Sequence, residues 1–131
     1  MPVVRDLMAY TLPRGVVENT ARYVYGHPEK VTPELVDLYV DMTLRAGNRR
    51  ALARRIEQGY TGDPAAIRSI RQPTLILWGG RDRLLPLDDG HRFSKDIGGS
   101  RLVVFDDLGH VPQEEDPVRT VAEVRRFLQK P

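Results

Sequence analysis

The apolar positions of this chain change period near its middle, from helical spacing in the first seventy or so residues to short apolar runs alternating with helices beyond Pro73. Thr32 followed by Pro33 is an N-cap with proline at the first helical position. Leu35, Leu38, Tyr39 and Met42 then fall at i, i+3, i+4 and i+7, which predicts a helix with one buried stripe, closed by Gly47. A second helix is expected over 49–58, with Leu52 and Ile56 facing inward and the arginines outward. Asp63-Pro64 repeats the cap-and-proline device ahead of a short helix reaching Ser69 or Ile70. Upstream, residues 3–12 and 16–25 also read as helices, kept short by Pro13, Gly15 and Gly26.

Thr74 to Trp78 is apolar at nearly every position, which suits a strand covered on both faces of a sheet. Residues 88–96 predict a helix and Arg101 to Phe105 a second strand. Asp116-Pro117 starts a last helix, whose apolar stripe is Val121, Val124 and Leu128. Strand, helix, strand is a βαβ unit whose crossover is right-handed in nearly all cases, so the two strands are expected to be parallel, with both following turns opening on one edge. The fold class is therefore α/β. The boundary is drawn near Arg71 to Gln72, giving a helical region 1–71 and a βαβα region 72–131.

Each apolar run ends in a polar turn carrying one candidate side chain, Asp82 in Trp78-Gly-Gly-Arg-Asp82-Arg and His110 in Asp107-Leu-Gly-His110-Val-Pro. Reactive groups in open α/β sheets gather just beyond the carboxyl ends of parallel strands, where both would sit. A carboxylate there can accept the hydrogen bond of a histidine Nδ1, fixing the tautomer and stabilising the imidazolium formed when the other nitrogen takes a proton. Taken singly, Asp82 reads equally as a turn aspartate and His110 as a loop residue behind Gly109. Together, in this order on this frame, they read as the acid and base of a triad. Of the serines, Ser69 lies near a helix end, Ser94 sits inside the crossover helix, and Ser100 leads into a strand instead of following one. None has the glycine-flanked elbow of an activated nucleophile, and neither do Asp63, Asp88, Asp89 or Asp106.

Composition narrows the remaining choices. The 131 residues fit one domain, with 40% hydrophobic residues and a formal net charge of +2. The basic cluster Arg49, Arg50, Arg54 and Arg55 has no stacking aromatics between its members, so a solvated helix face is expected and no nucleic-acid partner. No apolar run approaches a spanning length and the N-terminus lacks a secretory h-region, so no membrane partner and a cytoplasmic location are expected. With Cys 0 there is neither a disulfide framework nor a thiolate nucleophile. His27, His91 and His110 lack metal-ligand spacing, and Gly79-Gly80 lacks the further glycines or lysine of a nucleotide loop. Among Tyr23, Tyr25, Tyr39 and Tyr60, a pocket-lining group is possible, although Tyr39 on an apolar stripe reads better as core.

Pro73-Thr-Leu-Ile-Leu-Trp-Gly-Gly-Arg-Asp82, Pro86, and Leu108-Gly-His110-Val-Pro-Gln-Glu-Glu-Asp-Pro117 resemble the C-terminal part of the α/β-hydrolase superfamily. In that family the nucleophile, acid and histidine follow one another in chain order. The resemblance covers 72–130 strongly, and 1–71 more loosely resembles the helical cap such enzymes insert. It implies a partial α/β-hydrolase fold, a cap-like half followed by a two-stranded parallel βαβ unit and a C-terminal helix. It further implies Asp82 and His110 as catalytic acid and base, with no cofactor. The activity implied for a complete form is hydrolysis of an ester or related bond. Because nucleophile and oxyanion donors have no counterpart, the expectation is a truncated, esterase-like protein, inactive alone. It would meet a small ester-like substrate only when complemented by a missing N-terminal half. The alternative is a non-catalytic interaction module that binds a partner or itself through its exposed sheet edge or cap helices, or one half of a split enzyme.

Overall fold

The computed structural model describes residues 13–59 and 62–129, so the helix expected over 3–12 and Tyr60 lie outside the described residues. The chain forms two compact units, one made by the stretch up to Ala21 with Val31–Gly62, the other by Arg22–Lys30 with everything from Asp63 onward.

In the first unit the expected helices form. Helix α1 spans Arg14–Val24, crossing into the second unit, and α2 spans Pro33–Leu44. The Thr32 hydroxyl accepts the Leu35 N–H at 3.3 Å, as an N-cap should. Arg14 joins the two helices, its Nε donating to Asp37 at 2.8 Å and a terminal nitrogen to the Pro33 carbonyl at 3.1 Å. Gly47 does not close α2, which ends at Leu44. It adopts φ 91° as the N-cap of α3, Asn48–Gln58. Here glycine is required, since an L side chain rarely tolerates that φ.

The buried faces differ from those the periodicity predicts. On α2, Leu38 and Met42 of the predicted stripe are exposed while Leu35 and Tyr39 are half-buried, and the covered side also takes in Val36, Val40 and Thr43. On α3, Leu52 is 60% and Ile56 71% exposed, so neither faces inward. Periodicity places residues on one side of a helix, but burial needs a neighbouring element on that side.

In the second unit, strands β1 (Leu75–Gly79) and β2 (Arg101–Phe105) pair in parallel, Leu75 opposite Arg101 and Gly79 opposite Phe105. Helix α4 (Leu87–Asp96) crosses between them. Two short pieces, Pro28–Lys30 and Pro64–Ser69, are 3₁₀ helices, and the second is the short helix expected after Asp63-Pro64. A four-residue helix α5 (Pro112–Glu115), not foreseen, precedes α6 (Pro117–Leu128), whose N-cap Asp116 accepts the Arg119 N–H at 3.0 Å.

Full coverage of both sheet faces is not found. Leu75 to Trp78 are half-buried, because among the described residues the sheet has only two strands and each keeps an unpaired outer edge. The stripe Val121, Val124, Leu128 of α6 is likewise exposed, while Thr120 is buried and Glu123 meets Arg101 of β2 at 2.6 Å. The core of this unit lies instead around Tyr25, Ile97, Phe105 and Leu108, the last 0% exposed. No helix among the described residues is long and apolar enough to cross a membrane.

Candidate active site

Beyond the paired strands the backbone ladder continues into both turns, and this carries the two candidate side chains to one edge. Gly80 N–H donates to the Phe105 carbonyl at 2.7 Å and Arg81 N–H to the Leu108 carbonyl at 2.8 Å. The approach is so close that a Cβ on Gly79 would overlap the Gly109 carbonyl, and one on Gly109 would overlap the backbone of Val24 and Gly26. Glycine is needed at both positions because backbone, not side chain, is the neighbour.

Asp82 follows β1 in a turn closed by its own N–H to the Gly79 carbonyl at 3.2 Å. One carboxylate oxygen, Oδ1, accepts the N–H groups of Leu84 and Leu85 at 2.8 and 2.9 Å. The other, Oδ2, lies 2.8 Å from His110 Nδ1. Asp82 is therefore both the turn aspartate and the histidine's partner. Its side chain is 4% exposed against 33% for His110, so the carboxylate is enclosed and fixed while the ring reaches solvent. With Nδ1 turned to Asp82, Nε2 is the nitrogen available for proton transfer. His110 is held at its backbone by donation of its N–H to the Val24 carbonyl at 2.7 Å.

The serines do not join this edge. Ser100 precedes β2 and Ser69 precedes β1, placing both at the amino ends of strands whose carboxyl ends lead to Asp82 and His110. A five-residue strand spans roughly 16 Å. Ser94 lies late in α4, the helix that runs back from that edge, and the Ser100 hydroxyl donates to its carbonyl at 3.2 Å. Among the described residues, no group of three histidine or acidic side chains is placed to hold a metal ion.

Three features next to the pair were not read from the sequence. Glu115 is buried, Gly26 packs backbone to backbone against Gly109, and Asp107 forms a two-pronged pair with Arg119 at 2.9 to 3.0 Å. The Arg119 guanidinium holds the Asp107 carboxyl down at about 2 and is itself raised by that carboxylate, while His27 Nε2 stands 3.6 Å from Asp107. The signal for Glu115 is its place two residues before Pro117, where a run of three acidic residues exceeds what one helix cap needs.

The Alpha/beta hydrolase family model matches residues 2–124. The chain belongs to the α/β-hydrolase family. A 2-hydroxy-6-oxononadienedioate/2-hydroxy-6-oxononatrienedioate hydrolase of Escherichia coli is 42% identical over 62 residues, 47% of this chain and 22% of that protein. An uncharacterized protein of Mycobacterium bovis is 38% identical over 56 residues, 43% of this chain and 16% of that one. Among solved structures, a serine hydrolase involved in carbazole degradation superposes with a TM-score of 0.80 at 21% identity, covering 88% of this chain and 47% of that chain. The enol-lactonase from Burkholderia xenovorans gives a TM-score of 0.76 at 19% identity, covering 98% of this chain and 50% of that one. This α/β-hydrolase chain thus spans about half the length of the solved structures it matches, and its match takes in less than a quarter of the curated relatives.

Proposed function

We propose that Asp82 and His110 are the acid and base of a hydrolytic site for an ester or related bond, in which the nucleophile and oxyanion donors come from outside the described residues. The observation that carries this reading is the 2.8 Å contact from His110 Nδ1 to a buried carboxylate oxygen. In such a site His110 Nε2 takes the proton of an attacking hydroxyl, Nδ1–H donates to Asp82, and the negative carboxylate stabilises the imidazolium. The same nitrogen then returns the proton to the leaving group and activates the water that releases the acyl group. The relatives are named as an oxo-dienedioate hydrolase and an enol-lactonase, which favours a substrate cleaved next to a carbonyl.

The partner follows from what the second unit leaves uncovered. Among the described residues the outer edge of β1 is unpaired, and a recess of about 350 Å³ lined by Ile67, Trp78, Leu85 and Phe93 together with Asp89, Arg92 and Asp96 is left open in the same unit. A parallel strand beside β1 with a helix over that recess would cover both, which is what the other half of a hydrolase sheet would offer. A second copy of this chain is the competing occupant, and would make the protein an interaction module. Fusing the chain to the complementary half of the solved carbazole-pathway hydrolase and measuring ester turnover tests the reading. Turnover is expected, falling about 10⁴-fold in Asp82→Asn, the size seen when a triad acid is neutralised. Turnover indifferent to both Asp82→Asn and His110→Ala would refute it.

A further inference from the structure

Glu115 is a buried carboxylate, 6% exposed, that takes no part in the acid–base pair and still has a full set of partners. Its Oε2 accepts the N–H groups of Gly109 at 2.5 Å and Gly26 at 3.1 Å, and its Oε1 accepts that of His27 at 2.9 Å. Its own carbonyl receives the Lys30 ammonium at 2.9 Å. A buried charge is costly unless hydrogen-bonded, and three backbone donors among the described residues help to meet that demand. Part of this network adjoins the base. Gly109 immediately precedes His110, and the 24–27 segment that Glu115 grips at Gly26 and His27 also receives the His110 N–H at the Val24 carbonyl.

We propose that Glu115 is the positioning residue of His110: it clamps Gly109 to the Gly26–His27 segment and so sets the backbone from which the imidazole reaches Asp82. The backbone leading into His110 is then held at two successive N–H groups, its own by Val24 and its predecessor's by Glu115. Two rows of backbone meet at Gly26 and Gly109 with no room for a Cβ, so neither side chain there can do this work. A carboxylate suits the place because it presents acceptors only. The isosteric glutamine would turn an NH₂ toward at least one of the three N–H donors.

This proposal rests on the acid–base reading of the pair, but its test needs no turnover, so failure of hydrolysis and failure of the clamp are separately visible. The ring of His110 is observed by ¹H–¹⁵N correlation in the full chain, together with solvent exchange of its Nδ1–H. In Glu115→Gln, Nδ1–H exchange is expected to accelerate at least about tenfold, the least that loss of one charge-assisted hydrogen bond implies. Ile97→Val, which trims a buried side chain at the far end of α4, is expected to lower stability while leaving that exchange unchanged. A folded Glu115→Gln with wild-type Nδ1–H exchange overturns the proposal, as does an equal acceleration in Ile97→Val. If Glu115→Gln does not fold, wild-type amide exchange decides. Gly26, His27 and Gly109 are expected to open together, and a Gly109 amide that exchanges freely while the β2 amides stay protected overturns it.

Discussion

The helical unit and the βαβ unit obey the same hydrophobic patterning but are held in different ways. In the first, α2 has a side-chain cap at Thr32, Arg14 of α1 pairs with Asp37 of α2, and much of the apolar surface of α2 and α3, Leu38, Met42, Leu52 and Ile56, faces solvent. In the second, the edge bearing Asp82 and His110 is fixed by backbone groups in direct contact, through Gly26, Gly79, Gly109 and the Gly80 and Arg81 N–H bonds. A helix tolerates many substitutions on an uncovered face, whereas a backbone-to-backbone contact tolerates almost none. The position of the acid–base pair is therefore set more narrowly than anything in the helical unit.

The widest contrast should appear at glycines. Gly79→Ala would drive a Cβ into the Gly109 carbonyl, so a loss above about 4 kcal/mol is expected in urea unfolding, enough to leave a marginal domain largely unfolded. Gly15→Ala in α1 meets open space and should raise stability by up to about 1 kcal/mol through helix propensity. Comparable losses at the two sites would erase the distinction.

Large-to-small changes come next. Leu108→Ala empties a fully buried site and should cost about 3 kcal/mol, while Ile56→Ala, on an exposed face of α3, should stay within about 0.5 kcal/mol. An Ile56→Ala cost above about 2 kcal/mol would mean that the α3 face is covered in solution. Such a result would sharpen the contrast by naming a second covered surface.

The smallest effect concerns the Asp107–Arg119 pair beside the site. Because Arg119 lowers the Asp107 carboxyl from its ordinary 3.8 to about 2, the pair's contribution is fully present above pH 3.8 and is lost as the pH falls through about 2. The pair is roughly half-exposed, so its screened contribution should be below about 1 kcal/mol. Acid titration of stability in wild type and Asp107→Asn should show a difference above pH 4 that closes toward pH 2. A gap that widens on acidification would contradict the assigned direction.

Elements were legible in the sequence where caps and β-rich runs marked them. Asp116-Pro117 begins α6 and Arg101 to Phe105 forms β2 as read, and the parallel crossover accounts for the meeting of Asp82 with His110 across 28 positions. Which helix face is covered was not legible, as Val36 and Thr120 show, because that depends on neighbours distant in sequence. Glu115 escaped for a related reason. Its partners are backbone N–H groups, of Gly109 nearby and of Gly26 and His27 far back in the chain, which no side-chain pattern encodes.

The proposed reading is that Asp82 and His110 form an acid–base pair whose nucleophile lies elsewhere. It is tested most directly by turnover of an activated chromogenic ester by the purified chain beside Asp82→Asn and His110→Ala, free of contaminating esterase. On that proposal the three preparations are indistinguishable and show no turnover above buffer, since neither a nucleophile nor oxyanion donors would be at hand. Multiple turnovers by the wild-type chain that vanish in both variants would contradict it, and would place a nucleophile within these 131 residues.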